Sequence, residues 1–243
     1  MRRVYGAEIV DEGIQVARQN YGTLVLATLL PQLPVFGIDL WKSTQRGPFA
    51  SWLALLLSVI CASLANASAA RVVMDALEGR PTDLARVLRI VLRRAWPVVF
   101  SGLYRAIFFV LGLVIVLIPG LYVLSVYALV PVLPVLEPEI GGWQALRRSA
   151  TLTARARLLA FGAYVVPYGF VSAAVWASAT LTTRIAGPHV GRLFGSLLGS
   201  SLAVALRPFL AAIQVRLYVE LRMRKEAIDI EWALAPASTA SAT

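Results

Sequence analysis

Two arginines carry most of the chemistry that can be read from this chain. Arg105 and Arg207 stand inside long apolar runs, with no Asp or Glu in the middle of any such run. A charge near the centre of a bilayer costs about 2.5–3.5 kcal/mol on insertion scales, so it normally faces a bundle interior. Counted along their helices at about 1.5 Å per residue, both arginines fall within a few Å of the midplane. The functional reading is an internal cationic pocket for an anionic lipid headgroup or an anionic solute. The structural reading is that Arg105 reaches back to the inner interface and that Arg207 bonds carbonyls freed by Pro208. Glu137 and Glu220 are the nearest obvious charge partners.

Other chemistry is scarce. Cys61 and His189 are single copies. One cysteine cannot form an intrachain disulfide, and one Cys with one His falls short of the three or four N/S ligands of a usual zinc site. Catalysis of the Ser/His/Asp type would depend on His189, which the spacing places in a polar outside turn. No phosphate loop is present, because the glycine-containing strings lack a strand–loop–helix context. The expectation is a protein that is not an enzyme, with no catalytic residues, no metal and no cofactor.

The elements that must position the two arginines are membrane helices. Of 243 residues, 58% are hydrophobic and 15% are charged. Soluble domains carry roughly 25% charged residues, so an ordinary soluble enzyme and a disordered chain are both excluded. Six stretches approach the length of about 20 apolar residues that a crossing needs. They are 21–40, 50–72, 97–118, 120–136, 158–181 and 193–219. Arg2 and Arg3 are followed by Glu8, Asp11 and Glu12 rather than an apolar core, so the first stretch reads as a retained helix, not a secretory leader.

Charge sets the orientation. With a cytoplasmic N-terminus, seventeen of the 23 Lys and Arg residues fall on inside segments, four on outside loops and two inside spans. That bias predicts an all-α integral membrane protein with both termini inside. The inside segments read as amphipathic helices. Residues 82–94, with Thr82 as N-cap, place Leu84, Val87, Leu88, Val91 and Leu92 on one face and Arg86, Arg89, Arg93 and Arg94 off it. Residues 7–20 place Ile9, Val10, Ile14 and Ala17 together, within an N-terminal interfacial segment 1–20. Residues 140–153 set Trp143, Leu146 and Ala150 against Arg147 and Arg148. Such helices lie against the anionic inner leaflet, which accounts for the basic clusters better than nucleic acid does. One amphipathic helix followed by one hairpin, starting near residues 7, 82 and 140, reads as a threefold parallel repeat.

Smaller signals complete the organisation. Pro31, Pro34, Pro131, Pro134, Pro167 and Pro208 interrupt the spans and read chiefly as kinks. Gly195 and Gly199, and the small-residue run from Ala62 to Ala70, suit close helix packing. Asn66 in that run reads as an interhelical hydrogen-bond partner. Residues 220–232 form a cytoplasmic juxtamembrane segment, and 233–243 read as a disordered tail.

The strings Asp75–Pro81, Leu117–Tyr122, Glu137 with Ala145–Ser149 and Leu152–Thr153, and Leu217–Asp229 occur in that order. Together they resemble a group of bacterial integral membrane proteins that includes the membrane domain of glycerophosphoryl diester phosphodiesterases. The resemblance covers about residues 7–232. It implies a six-helix module in a bacterial cytoplasmic (inner) membrane. Hydrolysis in that family belongs to a separate barrel, so the resemblance brings no activity to these residues.

The expected function is therefore a non-enzymatic membrane module that contacts anionic lipid, a partner membrane protein or another copy of itself. Its surface would be the basic helices and Arg222–Trp232. The alternative is a small transporter or channel subunit for an anionic solute or lipid. The two separate by mutation. A transporter predicts that Arg105→Ala and Arg207→Ala keep the fold and abolish flux into proteoliposomes. A scaffold predicts that charge reversal at Arg86, Arg89 and Arg93 releases a co-purifying partner while the two internal variants do little.

Overall fold

The computed structural model describes residues 6–44, 48–115, 117–187 and 190–239, and all of its regular structure is helical. In chain order the helices are α1 (Gly6–Gln19), α2 (Tyr21–Thr44), α3 (Pro48–Leu77), α4 (Leu84–Arg93), α5 (Ala95–Ile115), α6 (Leu117–Val126), α7 (Leu133–Leu136), α8 (Gly142–Thr153) and α9 (Arg157–Ala160). A π-helical turn, Phe161–Val165, leads into α10 (Val166–Ala186), and α11 runs Val190–Thr239. Among the described residues, five stretches are long and apolar enough to cross a membrane: Tyr21–Ile38, Ser51–Leu77, Ala95–Gly112, Arg157–Ala186 and Leu193–Lys225. The helical backbone of α11 continues over 233–239, where composition offers little to bury; 240–243 and His189 lie outside the described residues.

The stretch 120–136 is not a continuous membrane-length helix. It is α6, six residues of turns and the four-residue α7. Pro131 lies in the turns and Pro134 in the first turn of α7. Each removes a backbone donor that a continuous helix would use. The opened backbone is nonetheless buried, with Ala128, Leu129, Val130 and Val132 fully covered. Its polar groups are satisfied by backbone turn bonds such as Val130 N–H to the Tyr127 carbonyl, and by side chains from other helices. Ser149 Oγ donates to the Val126 carbonyl at 2.8 Å, and Thr153 Oγ1 donates to the same oxygen at 3.2 Å. Gln214 Nε2 donates to the Ala128 carbonyl at 2.7 Å. Asn66 Nδ2 donates to Gln214 Oε1 at 2.8 Å, so α3, α11 and the break form one polar chain. Asn66 is thus an interhelical partner, as its place in a small-residue run led one to expect.

The other prolines behave differently. Pro31 and Pro34 lie inside α2, and Pro208 inside α11, without ending either helix. Pro167 follows the π turn at the start of α10. Small residues set the close approaches. A Cβ at Gly13 would come within 2.9 Å of Ile213, which lets α1 lie on α11. A Cβ at Gly195 would meet the Ala179 carbonyl at 2.9 Å, and one at Gly199 would meet Val175 at 3.5 Å. These contacts seal the α10–α11 hairpin, so the small-residue spacing acts within the chain.

The amphipathic helices dock on the bundle more firmly than an interfacial reading implies. In α1 the buried residues are Ile9, Gly13 and Ala17. The N-cap of α4 is Asp83, not Thr82: its carboxylate accepts from the Ala85 N–H at 2.9 Å. Val87 and Val91 of α4 are buried, whereas Leu92 is 66% exposed. In α8 the buried set is Ala145, Leu146, Ser149, Leu152 and Thr153, and Trp143 faces outward. Ion pairs tie these helices to one end of the bundle. Arg216 of α11 bonds Glu12 of α1. Arg148 of α8 meets Glu137 at 3.1 Å, and the Tyr218 hydroxyl donates to Glu137 at 2.9 Å. The fully buried Asp75 at the end of α3 takes Arg71 at 2.9 Å and Arg86 of α4 at 2.6 Å. Arg86 and Arg148 are therefore structural anchors as well as surface cations.

Gln214→Leu is expected to destabilise the fold by about 1–3 kcal/mol, because the Ala128 carbonyl and Asn66 lose a buried partner together. Thermal unfolding in mild detergent, followed by tryptophan fluorescence, should show a lowered midpoint; a wild-type midpoint would mean the break does not depend on this chain of bonds.

Candidate functional site

Where α3 and α5 cross, side-chain volume is minimal. A Cβ at Gly102 would collide with the side chain of Ser63, so only glycine allows this approach. Ser63 turns its hydroxyl to the Val59 carbonyl at 2.8 Å. Arg105 follows Gly102 by three residues, close to one helical turn, which puts both on the same side of α5. Beyond the crossing the helices part. Between α3, α5, α10 and α11 lies a cavity of about 550 Å³. This is within the usual range of ligand pockets, roughly 300–1,000 Å³.

Arg105 and Arg207 both line this cavity. Arg105 Nη2 donates to the Tyr164 hydroxyl at 2.8 Å. Its guanidinium lies 5.4 Å from the Tyr164 ring centroid and 5.7 Å from that of Tyr168. Cation–π attraction strengthens when the pair is desolvated. The two tyrosines are four residues apart, and their rings are 5.6 Å apart at a tilt of 32°. The π turn carries Tyr164 and α10 carries Tyr168, so the widened turn ahead of Pro167 sits where the arginine is held. Single π-helical turns inside helices recur at functional sites. Arg207 Nη1 donates to the Ala62 carbonyl of α3 at 3.1 Å.

Each arginine therefore departs from its structural expectation. Arg105 is held by two aromatic rings rather than reaching the interface, and Arg207 bonds a carbonyl of α3 rather than one freed by Pro208. The expected charge partners are engaged elsewhere. Glu137 serves Arg148 and Tyr218, and Glu220 meets Arg224 at 2.6 Å. Among the described residues neither Arg105 nor Arg207 has an ion pair, and no carboxylate lines the cavity. Asn66 and Ser63 line the same end. Cys61 is buried and free.

Tyr164 and Tyr168 hold Arg105 and Gln214 holds the opened backbone, and hydropathy alone passes over all three. A signal existed: Tyr164 and Tyr168 stand four apart inside an apolar run, and Gln214 is a lone amide in another. The surface set divides in two. Arg89, Arg93 and Arg147 are exposed and Arg94 is half-buried, while Arg86 and Arg148 are paired as above. Beside them stands an aromatic cluster. Trp96 meets Phe100 edge-on at 4.5 Å, and Tyr104 meets Trp143 at 5.7 Å. Trp96 and Trp143 are exposed, as interface anchors are.

No protein-family model matches this chain, and neither the curated proteins nor the solved structures searched give a match.

A double-mutant cycle checks the Arg105–Tyr164 contact. Tyr164→Phe and Arg105→Gln should show a coupling of about 1.5–3 kcal/mol, the range for a hydrogen bond to a charged group. Denaturant unfolding in mixed micelles measures it, and additive effects would place the two groups apart.

Proposed function

We propose that this chain is a non-enzymatic integral membrane module that holds the anionic group of a membrane lipid between Arg105 and Arg207. One observation carries the reading: both guanidiniums line a single cavity that has no carboxylate on its wall. Buried cations without a counter-charge are costly in an apolar medium. A phosphate or carboxylate offers acceptor oxygens for their N–H groups and offsets the charge. The tyrosines hold Arg105 without neutralising it. Ser63 and Asn66 add polar groups at the same end.

The reading includes a topology of six crossings with both termini in the cytoplasm of a bacterial inner membrane. The fourth crossing would consist of α6, the turns and α7. Its support is the return of the chain along α5: a Cβ at Gly142, the first residue of α8, would lie 3.0 Å from Phe100 and 3.2 Å from the Pro97 carbonyl. The inside bias of Lys and Arg supports the orientation. The threefold helix-plus-hairpin arrangement is supported by α1, α4 and α8, each of which precedes a packed pair: α2 with α3, α5 with α6, α10 with α11. Arg89, Arg93, Arg94 and Arg147 would contact anionic headgroups of the inner leaflet. The resemblance to the phosphodiesterase membrane domain fits this module and adds no catalytic role.

A second reading, an anion or lipid transporter subunit, has one observation in its favour. Pro131, in the opened backbone between α6 and α7, lines the same cavity, as discontinuous helices line the sites of many transporters.

Native mass spectrometry of the protein in nanodiscs tests the proposal. Wild type and Arg147→Gln should retain an anionic lipid, and Arg105→Gln/Arg207→Gln should lose it. Equal lipid retention in all three, or a stoichiometric protein partner with no specific lipid, would overturn it.

A further inference from the structure

The cavity is graded from end to end. Ser63, Asn66, Arg105, Tyr164, Tyr168 and Arg207 make one end polar, and Ser172 stands one turn further along α10. The four helices agree on the direction in which polarity falls. Along α3 the lining passes from Asn66 through Ser63 to Val59, and along α5 from Arg105 to Phe109. On α11 it passes from Arg207, flanked by Leu210, to Ala203, and from the π turn into α10 from Tyr164 and Tyr168 through a single hydroxyl, Ser172, to Val175 and Ala179. Tyr164 to Ala179 is fifteen residues, or about 22 Å of helix at about 1.5 Å per residue. The hydrocarbon of one leaflet is about half of the roughly 30 Å core. The groove is thus long enough to take an acyl chain along its whole length.

It also opens sideways. Trp176 lines the cavity and is 73% exposed, and α10 has no buried residue. Phe170 of α10 is 74% exposed as well, so the rest of the chain leaves this wall uncovered. A small soluble anion would occupy the cationic end and leave the apolar length without a partner. An amphiphile fills both.

Resting on the anion-binding reading above, we infer that the cleft binds an acyl chain whose anionic head lies at Arg105 and Arg207 and whose methyl end lies beside Trp176 and Ala179. The ligand class is an anionic amphiphile, taken laterally from the bilayer. Trp176 then reports on the chain end and Tyr168 on the region near the head, eight residues away along α10.

The test uses the full chain in nanodiscs of zwitterionic phosphatidylcholine, at alkaline pH. The probes are fatty acids that carry a nitroxide near the carboxylate or near the methyl end. The methyl-end label should quench the fluorescence that is lost in Trp176→Phe several-fold more than the carboxylate-end label, and in a saturable way. Arg105→Gln/Arg207→Gln should abolish the saturable part. Ala203→Leu leaves the arginines in place and narrows the apolar end, so it should weaken chain-end quenching several-fold if the double variant fails to fold. Quenching that ignores label position, or that persists in Trp176→Phe, overturns the inference. So does stronger quenching by the carboxylate-end label, which would reverse the chain. Inorganic phosphate binding that needs both arginines, with Trp176 untouched by either labelled chain, would keep the anion site and overturn the acyl-chain assignment alone.

Discussion

Backbone N–H and C=O groups find no water in the hydrocarbon of a bilayer, so each must be satisfied inside the protein. Residues 127–132, buried within the bundle, meet the same demand without a helix. The last carbonyl of α6, at Val126, accepts from Ser149 and Thr153 of α8, the Leu129 N–H donates to Ser149, the Ala128 carbonyl accepts from Gln214 of α11, and Gln214 is held in turn by Asn66 of α3. Four separate parts of the chain are locked together by this one requirement. Helix α8 cannot slide without exposing the Val126 carbonyl, and α11 cannot rotate without releasing the Ala128 carbonyl. The docking of α8 then brings Arg148 to Glu137 and fixes Tyr218 beside it.

The cleft follows from the same arrangement. Pro131 of the break forms part of its wall, and Asn66 reaches both the polar chain and the cavity. The glycine crossing of α3 and α5 brings the two helices together at Gly102 and Ser63, and both residues border the cavity. Arg105 and Arg207 enter that space from different helices. Each has one hydrogen bond to a neutral oxygen, which orients it without removing its charge. In a low-dielectric site such groups remain strong attractors for an anion. The amphipathic helices play a more structural part than their pattern implies. Asp75 is fully buried and takes two arginines, so α4 is clamped to α3. Removing one partner of a buried pair is far more costly than removing an exposed surface charge. Arg89 and Arg93 are exposed and unconstrained by this pair, and Arg86 is held by it.

Much of this was legible in the residue order. Apolar length marks the five helices long enough to cross a membrane, together with a sixth stretch at 120–136 that the structure breaks, and a lone Asn66 among small residues marks a helix–helix hydrogen bond. The alternation of Arg with Leu and Val marks α4. Each of these properties accumulates along a single stretch of chain, so a single stretch suffices to read it. The split of 120–136 into α6, turns and α7 was not legible, because its hydropathy is that of a continuous helix. What makes the break tolerable is a set of side chains 20 to 86 residues away in sequence. The N-cap at Asp83 rather than Thr82 is a one-residue difference that only the backbone angles decide.

The sequence by itself determined the class of protein, the apolar helices, and the presence of two arginines that no neighbouring acid neutralises. Only the tertiary structure decided that those arginines share one cavity, that Tyr164 and Tyr168 hold one of them, and that Glu137 and Glu220 do not. The physical reason is that hydropathy and charge are properties of single residues, summed locally. The meeting of Arg105 with Arg207 depends on the rotation and depth of four helices relative to one another. Those are set by close approaches such as Gly102 to Ser63 and Gly13 to Ile213, and by hydrogen bonds between residues far apart in the chain.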